Sequence, residues 1–250
     1  MLLKSIFLFF LMIGSSFGAT YHDKILDKND LPLKLERHKR LFFISGPENT
    51  KMQLSVKWNF IKDTNFYFGY TEYFFWDLFK KSSSPFEDIN HNPEIFHRWR
   101  SGETQMLDLG LEHLSNGKAG VDSRSWNTAY LRGVKKWDDK YQLSLKTFAL
   151  FGVEEENKDA FKYVGWLDAE FSINEFIKTK FQNNEFYVRW RPGGRVAWSD
   201  RYDTFEVGLK IKFSSIKVFQ HFFINYYNGY AESQLEYKKN VRALRAGVIF

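Results

Sequence analysis

The sequence predicts an all-β chain that folds as a twelve-stranded antiparallel transmembrane β-barrel. Along residues 52–60 and 205–213, apolar side chains alternate with polar or charged ones, which is the period of a strand with one apolar face. About twelve such segments of roughly ten residues follow one another, and 19% of the chain is aromatic. Strands that face lipid on one side and a polar lumen on the other, edged by aromatic rings, are typical of the bacterial outer membrane.

The first eighteen residues predict a secretory signal peptide. Lys4 supplies a short basic region, residues 6–13 are apolar, and Ser16-Phe17-Gly18 offers small residues where a signal peptidase cleaves. The apolar run is too short for a membrane-spanning helix of roughly 20 residues. The protein therefore leaves the cytoplasm for a place where disulfides form, yet it has no cysteine. A closed, hydrogen-bonded barrel would hold the chain together without them.

Three segments are expected: the signal peptide at 1–18, a lead-in at 19–37 and the barrel at 38–250. The lead-in mixes charges with Pro32 and has no clear period, and helical periodicity is absent from the rest. The predicted strands are 38–45, 51–62, 64–79, 93–101, 105–115, 124–134, 140–151, 161–173, 175–191, 202–213, 216–230 and 240–250. His38 is then expected at the edge of the lead-in and His91 in a loop.

The net charge of +6 leaves two interpretations of the barrel interior open. An excess of cations would suit an anion channel or an anionic lipid partner, whereas nucleic acid is not an expected partner. Alternatively, cations pair with acids in a filled, non-conducting lumen, which is the interpretation we favour. The cations concerned are Lys57, Lys146, Lys162, Lys178, Lys180, Arg189, Arg191, Lys210 and Lys212, and the acids are Asp108, Glu112, Asp168, Glu170 and Glu206.

One predicted strand ends with two polar residues on its lipid-facing side. Leu107, Leu109 and Leu111 form that face, and His113 and Ser115 continue it. An imidazole and a hydroxyl placed against hydrocarbon lose hydration and add nothing to packing, so a structural role explains them poorly. The spacing alone arises by chance in many proteins, and it is the position against lipid that indicates a function.

A third residue completes a possible catalytic set. Serine hydrolysis needs a base that activates the hydroxyl, a group that orients the base and donors for the oxyanion. Asn127 shares a face with Ala129 and Leu131 on the next strand. Antiparallel pairing across the loop at 116–123 would place Asn127 beside His113.

Three segments resemble the outer membrane phospholipase A family of calcium-dependent acyl hydrolases. They are "HLSNGKAGVDSRSWNTAYLR", "SSSPFEDINHNPEIF" and "GYAESQLEY", and the resemblance runs from about residue 38 to Phe250. It implies a twelve-stranded barrel whose active site lies on the outer wall near the outer leaflet. The implied substrates are membrane phospholipids and lysophospholipids, cleaved at their 1-acyl and 2-acyl esters.

The resemblance also implies the roles of individual residues. His113 would be the catalytic base, Ser115 the nucleophile and Asn127 the group that orients the imidazole. The Gly117 amide would stabilise the oxyanion. Asn127 carries no charge, which suits a site that faces lipid.

Calcium and a homodimer are further implications. The Ser123 hydroxyl and the Lys118 carbonyl would bind Ca²⁺ together with a carbonyl of Ser83 of the partner subunit, because calcium prefers oxygen ligands. The dimer would be the active form. The chain departs from the family at Glu72, where a glutamine usually bonds across the dimer interface. A carboxylate there is costly in hydrocarbon unless it is protonated or paired.

Two other classes of protein stay open. A non-enzymatic outer-membrane barrel, either a small pore or an adhesin, would carry the motif without the activity. A soluble periplasmic β-domain would need fewer and shorter strands. The terminal aromatic residue, Phe250, resembles the signal that the outer-membrane barrel assembly machinery reads, and it favours a membrane barrel.

Overall fold

The computed structural model describes residues 35–79, 85–177, 184–194, 202–213 and 221–250. Within these ranges, thirteen strands form one antiparallel sheet. The strands are β1 (Glu36–Arg37), β2 (Phe42–Ser45), β3 (Thr50–Asn59), β4 (Phe66–Trp76), β5 (Phe86–Ser101), β6 (Gln105–Ser115), β7 (Ser125–Trp137), β8 (Tyr141–Phe151), β9 (Leu167–Asn174), β10 (Glu185–Arg191), β11 (Thr204–Lys212), β12 (His221–Gly229) and β13 (Val241–Ile249).

The sheet closes on itself. Strands β1 and β2 pair with two successive parts of β3, so together they make one interrupted strand. Strand β2 also pairs with β13, and β3 pairs with β4. The predicted twelve-stranded antiparallel barrel is therefore confirmed. The predicted signal peptide and most of the predicted lead-in lie outside the described residues.

The connections at one end of the barrel include short turns, and those at the other end include long loops. The short turns include residues 102–104, and the longer loops include 116–124, 152–166 and 230–240. We call the two ends the turn end and the loop end. Strand β6 reaches the loop end at Ser115. No helix among the described residues has the length and apolar character needed to cross a membrane.

Residues 161–173, predicted as one strand, divide into two elements. Ala160–Val164 forms a helix of a single turn, α1, and β9 begins only at Leu167. Gly165 ends this helix with a φ of 78°, and its N–H donates to the carbonyl of Phe161. A positive φ at the end of a helix favours glycine. The alternation of apolar and polar residues in this segment wrongly indicated a strand, because the side chains of α1 pack among the loops.

The prediction for β5 was also wrong at its first residue. The strand begins at Phe86 rather than at 93, so His91 lies within it and not in a loop. Its lumen-facing positions are Asp88, Asn90 and Asn92, which are buried. Aspartate and asparagine are depleted in strands, so their pattern did not indicate one.

The N-terminal edge of the barrel differs from the expected lead-in. Pairing begins at Glu36, and His38 lies inside the barrel. Its Nε2 is 2.7 Å from Oε1 of Glu94, and its ring stacks on Phe96 with the centroids 5.3 Å apart. These contacts hold the short segment between β1 and β2 against the inner wall.

The outer wall is apolar and the inner wall is charged. On β6, Leu109 is 53% exposed and Leu111 is 48% exposed, whereas Asp108 is fully buried and Glu112 nearly so. The predicted alternation is confirmed here. An apolar surface that runs along the whole barrel would be unfavourable in water, and it matches the hydrocarbon of a bilayer.

Ion pairs fill much of the lumen, around a cavity of about 1270 Å³. Asp108 accepts from Nε of Arg98 at 2.7 Å and also pairs with Arg132. Other pairs are Lys146 with Glu112, Arg189 with Asp168 and Glu206, Arg40 with Glu170 and Glu185, Lys210 with Glu185, and Lys57 with Glu36. Pairing is thus confirmed for four of the predicted cations, Lys57, Lys146, Arg189 and Lys210, while Lys178 and Lys180 lie outside the described residues.

A cluster of side chains from three loop-end segments packs together near the candidate site. Trp126, Ala160, Val164 and Tyr237 form its buried part. The Tyr237 hydroxyl donates to Asp159 at 2.5 Å. Burial and this hydrogen bond raise the pKa of Tyr237 to about 12, so its proton stays in place at neutral pH. This cluster anchors α1 beside the start of β7.

Candidate active site

The site consists of two rows of outward-facing residues that cross neighbouring strands near the loop end. In the first row, Glu72 on β4 lies opposite His91 on β5, and His91 lies opposite Ser115 on β6. In the second row, His113 on β6 lies opposite Asn127 on β7. Side chains that lie directly opposite on adjacent strands have Cβ atoms about 5 Å apart. The barrel wall therefore brings these polar groups into one patch.

The predicted contact between His113 and Asn127 is confirmed. Nδ1 of His113 is 2.9 Å from Oδ1 of Asn127. A carbonyl oxygen can only accept, so Nδ1 carries the proton and the neutral ring keeps Nε2 as an acceptor. The amide nitrogen of Asn127 makes a longer contact of 3.5 Å with the carbonyl of Phe151. That contact keeps the carbonyl side of Asn127 turned toward the imidazole.

The backbone of His113 is held from the neighbouring strand. Pro93 lies between the residues that face Glu112 and Ser115, and it has no N–H to donate across the ladder. The side-chain amide of Asn92 donates instead to the carbonyl of His113 at 3.1 Å. This hydrogen bond fixes the strand at the position that carries the imidazole.

Ser115 shares the outward face of His113, two residues further along β6. Among the described residues, no hydrogen bond joins its hydroxyl to His113. Residues separated by two along a strand lie about 6.6 Å apart. A hydrogen bond from the Ser115 hydroxyl to Nε2 of His113 would therefore need a rotation of the side chains.

A buried asparagine shapes the loop that follows Ser115. Oδ1 of Asn116 accepts from the backbone N–H groups of Lys118 and Arg124, and its Nδ2 donates to the carbonyl of Asp122 at 2.9 Å. Gly117 has a φ of 65°, a conformation that glycine adopts without strain. The loop therefore exposes the Gly117 backbone beside Ser115.

Oxygen atoms gather at Ser123, on the far side of this loop. The Ser123 hydroxyl donates to Oε2 of Glu154 at 3.0 Å, and Nδ2 of Asn157 donates to the Ser123 carbonyl at 3.2 Å. Asn157 is fully buried, and its Oδ1 has no hydrogen-bond partner among the described residues. Hydroxyl, carbonyl and carboxylate oxygens are the ligands that calcium prefers. The donor set at Ser123 therefore fits a calcium ion.

Two other calcium ligands are expected, at Lys118 and Ser83. Lys118 is exposed, and its ammonium donates to the carbonyl of Glu87 at 3.1 Å. Ser83 lies outside the described residues. In the part of the chain that the structure describes, no three His, Cys, Asp or Glu side chains form a group able to hold a metal. A calcium site built from carbonyl and hydroxyl oxygens needs no such cluster of side chains.

Glu72 is paired on the outer wall. Its Oε1 is 3.1 Å from Nδ1 of His91, and the Tyr70 hydroxyl is 2.8 Å from the same nitrogen. The carboxylate that the sequence places against lipid thus has a neighbouring imidazole as its partner. The sequence did not indicate this pair because His91 was expected in a loop.

Several residues near the site escaped prediction. Glu154 and Asn157 approach Ser123 from the loop after β8, in the acidic run "VEEENKD", which resembles an ordinary solvated loop. Gly152 lies against Asn127: a Cβ at this position would be 2.7 Å from Nδ2 of Asn127. Contacts between loops that are distant in the sequence require the strand register, which no local pattern shows.

Comparison with known proteins agrees with this barrel. The sequence model of the family described as phospholipase A1 matches residues 19–250. Phospholipase A1 of Salmonella typhimurium is 28% identical over 216 residues, which cover 81% of this chain and 69% of that protein. Phospholipase A1 of Escherichia coli K12 is 26% identical over 216 residues, with the same coverage.

Solved structures have the same fold. Outer membrane phospholipase A from Escherichia coli superposes with a TM-score of 0.71 at 22% identity, covering 90% of this chain and 93% of that one. A calcium-bound dimer of the outer membrane phospholipase of Salmonella typhi gives a TM-score of 0.71 at 22% identity, covering 90% and 94%.

Proposed function

The chain belongs to the phospholipase A1 family, and we propose that it is a calcium-dependent hydrolase that cleaves the 1-acyl and 2-acyl esters of phospholipids and lysophospholipids. It is an esterase of the bacterial outer membrane, as its relatives and its closed barrel indicate. The proposal assigns the chemistry to a Ser-His-Asn triad on the outer wall, which faces the outer leaflet. The active form is proposed to be a homodimer.

The hydrogen bond between His113 and Asn127, on the face that carries Ser115, is the observation that supports this proposal best. A hydroxyl and a hydrogen-bonded imidazole on the same lipid-facing wall have direct access to the ester bonds of membrane lipids. A structural role does not account for this set, because polar groups on such a wall lose hydration.

In the first half of the reaction, Nε2 of His113 accepts the Ser115 proton as Oγ attacks the ester carbonyl carbon. A bond forms between Oγ and this carbon, and the carbonyl oxygen becomes an oxyanion that accepts from the Gly117 N–H. The bond to the alcohol then breaks, and His113 gives its proton to the departing lysophospholipid. The Asn127 carbonyl accepts from Nδ1–H of His113 throughout and keeps the ring oriented.

In the second half, water hydrolyses the acyl-enzyme. His113 accepts a proton from the water, whose oxygen bonds to the acyl carbon, and returns the proton to Ser115 as the fatty acid leaves. The same residues thus act in both halves. Calcium, when bound, would add positive charge that stabilises the oxyanion.

Ser123 and Lys118 are the proposed calcium ligands, with Ser83 of the partner subunit completing the site. The Salmonella typhi phospholipase is a dimer with bound calcium. In the present chain, the carboxylate of Glu154 adjoins the Ser123 hydroxyl and would add a charged oxygen. A monomer would lack the partner's ligand, so dimerisation would raise activity. We also propose that the barrel assembly machinery recognises the strand that ends at Phe250.

Calcium removal tests the proposed cofactor. Hydrolysis of mixed micelles is expected to stop with a chelator and return with Ca²⁺. Ser123→Ala should raise the calcium concentration for half-maximal activity about 10- to 100-fold, because a metal loses affinity when a group around it is removed. Chemical crosslinking of the dimer, measured over the same titration, should shift in parallel. Ser101→Ala, at the exposed turn end, is the matched control.

Two outcomes would contradict this cofactor and activity. Full hydrolysis in chelator would exclude the calcium dependence. Conductance across a planar bilayer with no hydrolysis under any condition would favour the pore.

Gly152→Ala tests whether the position of the Asn127 side chain matters for catalysis. The new Cβ would lie 2.7 Å from Nδ2 of Asn127 at a position whose φ is 58°, so the amide must move. Displacing a positioning group by about 1 Å can cost up to about 100-fold in rate, and we expect kcat to fall about 10- to 100-fold. The measurement is steady-state hydrolysis of a soluble short-chain phospholipid.

Gly102→Ala is the control for Gly152→Ala. Gly102 has a φ of 62°, with open space where its Cβ would be, so this variant has the same backbone strain without the collision. Equal activity of the two variants would show that the contact with Asn127 has no catalytic consequence.

A further inference from the structure

A second imidazole adjoins the proposed nucleophile. His91 lies directly opposite Ser115 on the neighbouring strand, and both face outward. A Cβ built on Gly117 would be 3.3 Å from Nε2 of His91. The Nε2 edge of this ring therefore faces the loop backbone whose N–H is proposed to receive the oxyanion.

The other edge of the ring is held by β4. Nδ1 of His91 is 3.1 Å from Oε1 of Glu72 and 2.8 Å from the Tyr70 hydroxyl. Both contacts are made to Nδ1, and Nε2 has no hydrogen-bond partner among the described residues. The arrangement has the order carboxylate, imidazole and open nitrogen, in which the carboxylate orients the ring.

We propose that His91 is a further catalytic residue, which donates a hydrogen bond from Nε2–H to the oxyanion while Glu72 positions its ring. This inference rests on the proposed function, and it adds a donor to the same site. His91 forms and breaks no covalent bond, since the proton that moves during acylation passes between Ser115 and His113. The donor acts on the carbonyl oxygen as negative charge develops there.

The proposal also explains why a carboxylate is present on the lipid-facing wall. A glutamate there is costly unless it is compensated, and a leucine would bury the same area without that cost. A pair that served only the wall could be replaced by apolar residues without harm. A pair that holds a hydrogen-bond donor beside Gly117 could not be replaced in this way without loss of activity.

Two variants of His91 separate a donor from a structural residue. His91→Phe removes the donor but keeps a ring, and it should lower kcat about 10- to 100-fold with little change in KM, because a lost oxyanion donor acts on the transition state. His91→Gln provides an amide N–H of similar reach and should recover most of the lost kcat. The measurement is steady-state hydrolysis of a soluble short-chain phospholipid at saturating calcium.

His97 provides the matched control. It lies on the same strand and the same outward face, paired with Leu109 and in contact with Phe66 and Trp99. His97→Phe and His97→Gln should leave kcat unchanged. Glu72→Leu should lower kcat in the wild type but not in the His91→Phe background, because the carboxylate is proposed to act only through the ring.

Each outcome bears on one proposal. Wild-type kcat in His91→Phe, or equal losses in His91→Phe and His91→Gln, would overturn the role of His91 as a donor. A loss from Glu72→Leu that persists without His91 would overturn the positioning role of Glu72. Hydrolysis that survives in Ser115→Ala would instead refute the proposed nucleophile, so the two failures are distinguishable.

Discussion

Ser115→Ala is expected to abolish phospholipid hydrolysis, with kcat lowered on the order of 10⁴- to 10⁶-fold. In the proposed mechanism no acyl-enzyme forms without this hydroxyl, and His113 has no nucleophile to deprotonate. The remaining Gly117 amide can stabilise an oxyanion but cannot supply the attacking atom. Release of fatty acid from phospholipid micelles, followed by titration, measures the effect.

Ser125→Ala is the control for this variant. Ser125 lies directly opposite Ser115 on β7, so it has the same size and the same neighbourhood. Its loss should change kcat only slightly. Comparable losses in both variants would show that the site depends on packing in this row, and substantial hydrolysis by Ser115→Ala would exclude the proposed mechanism.

The second large effect is expected on stability. Asp108 is fully buried and compensates two guanidinium groups, those of Arg98 and Arg132. Asp108→Asn leaves both cations in the lumen without the shared carboxylate, and breaking a buried pair in this way costs about 3–5 kcal/mol. The midpoint of urea unfolding in detergent micelles, followed by tryptophan fluorescence, should fall accordingly.

Glu103→Gln is the comparison for Asp108→Asn. Glu103 is exposed in the short turn between β5 and β6, so the same loss of one carboxylate charge should change stability little. Equal midpoints for the two variants would mean that water or neighbouring acids compensate the two arginines. The ion pairs would then contribute little to the barrel.

Much of the barrel could be predicted because its walls obey a simple alternation. Leucines at every second position of β6 indicate both the strand and the face that meets lipid. The same parity argument places His113 and Ser115 outward and brings Asn127 to His113 across one hairpin, and the structure confirms that contact. Strands β6 and β7 follow one another in the sequence, so their pairing can be predicted from a short segment.

The remaining features of the fold and the site depend on contacts that the alternation of apolar and polar residues cannot predict. The first half of β5 has polar residues toward the lumen and a proline among its outward positions, so its sequence resembles a loop. Helix α1 alternates like a strand yet ends in a glycine with positive φ. The relation between Glu72, His91 and Ser115 crosses three strands, and it follows from the register of those strands rather than from a local pattern in the sequence.

The two rows of the site stand on paired strands, and only Gly117 and the residues around Ser123 belong to loops. A ladder of backbone hydrogen bonds keeps the proposed nucleophile, Ser115, and the proposed base, His113, in place whether or not a lipid is near. The proposed site is therefore built largely into the barrel wall. For the proposed calcium-dependent dimer, activity would then be set by the meeting of two barrels, a divalent ion and a lipid in the bilayer, rather than by a change within one barrel.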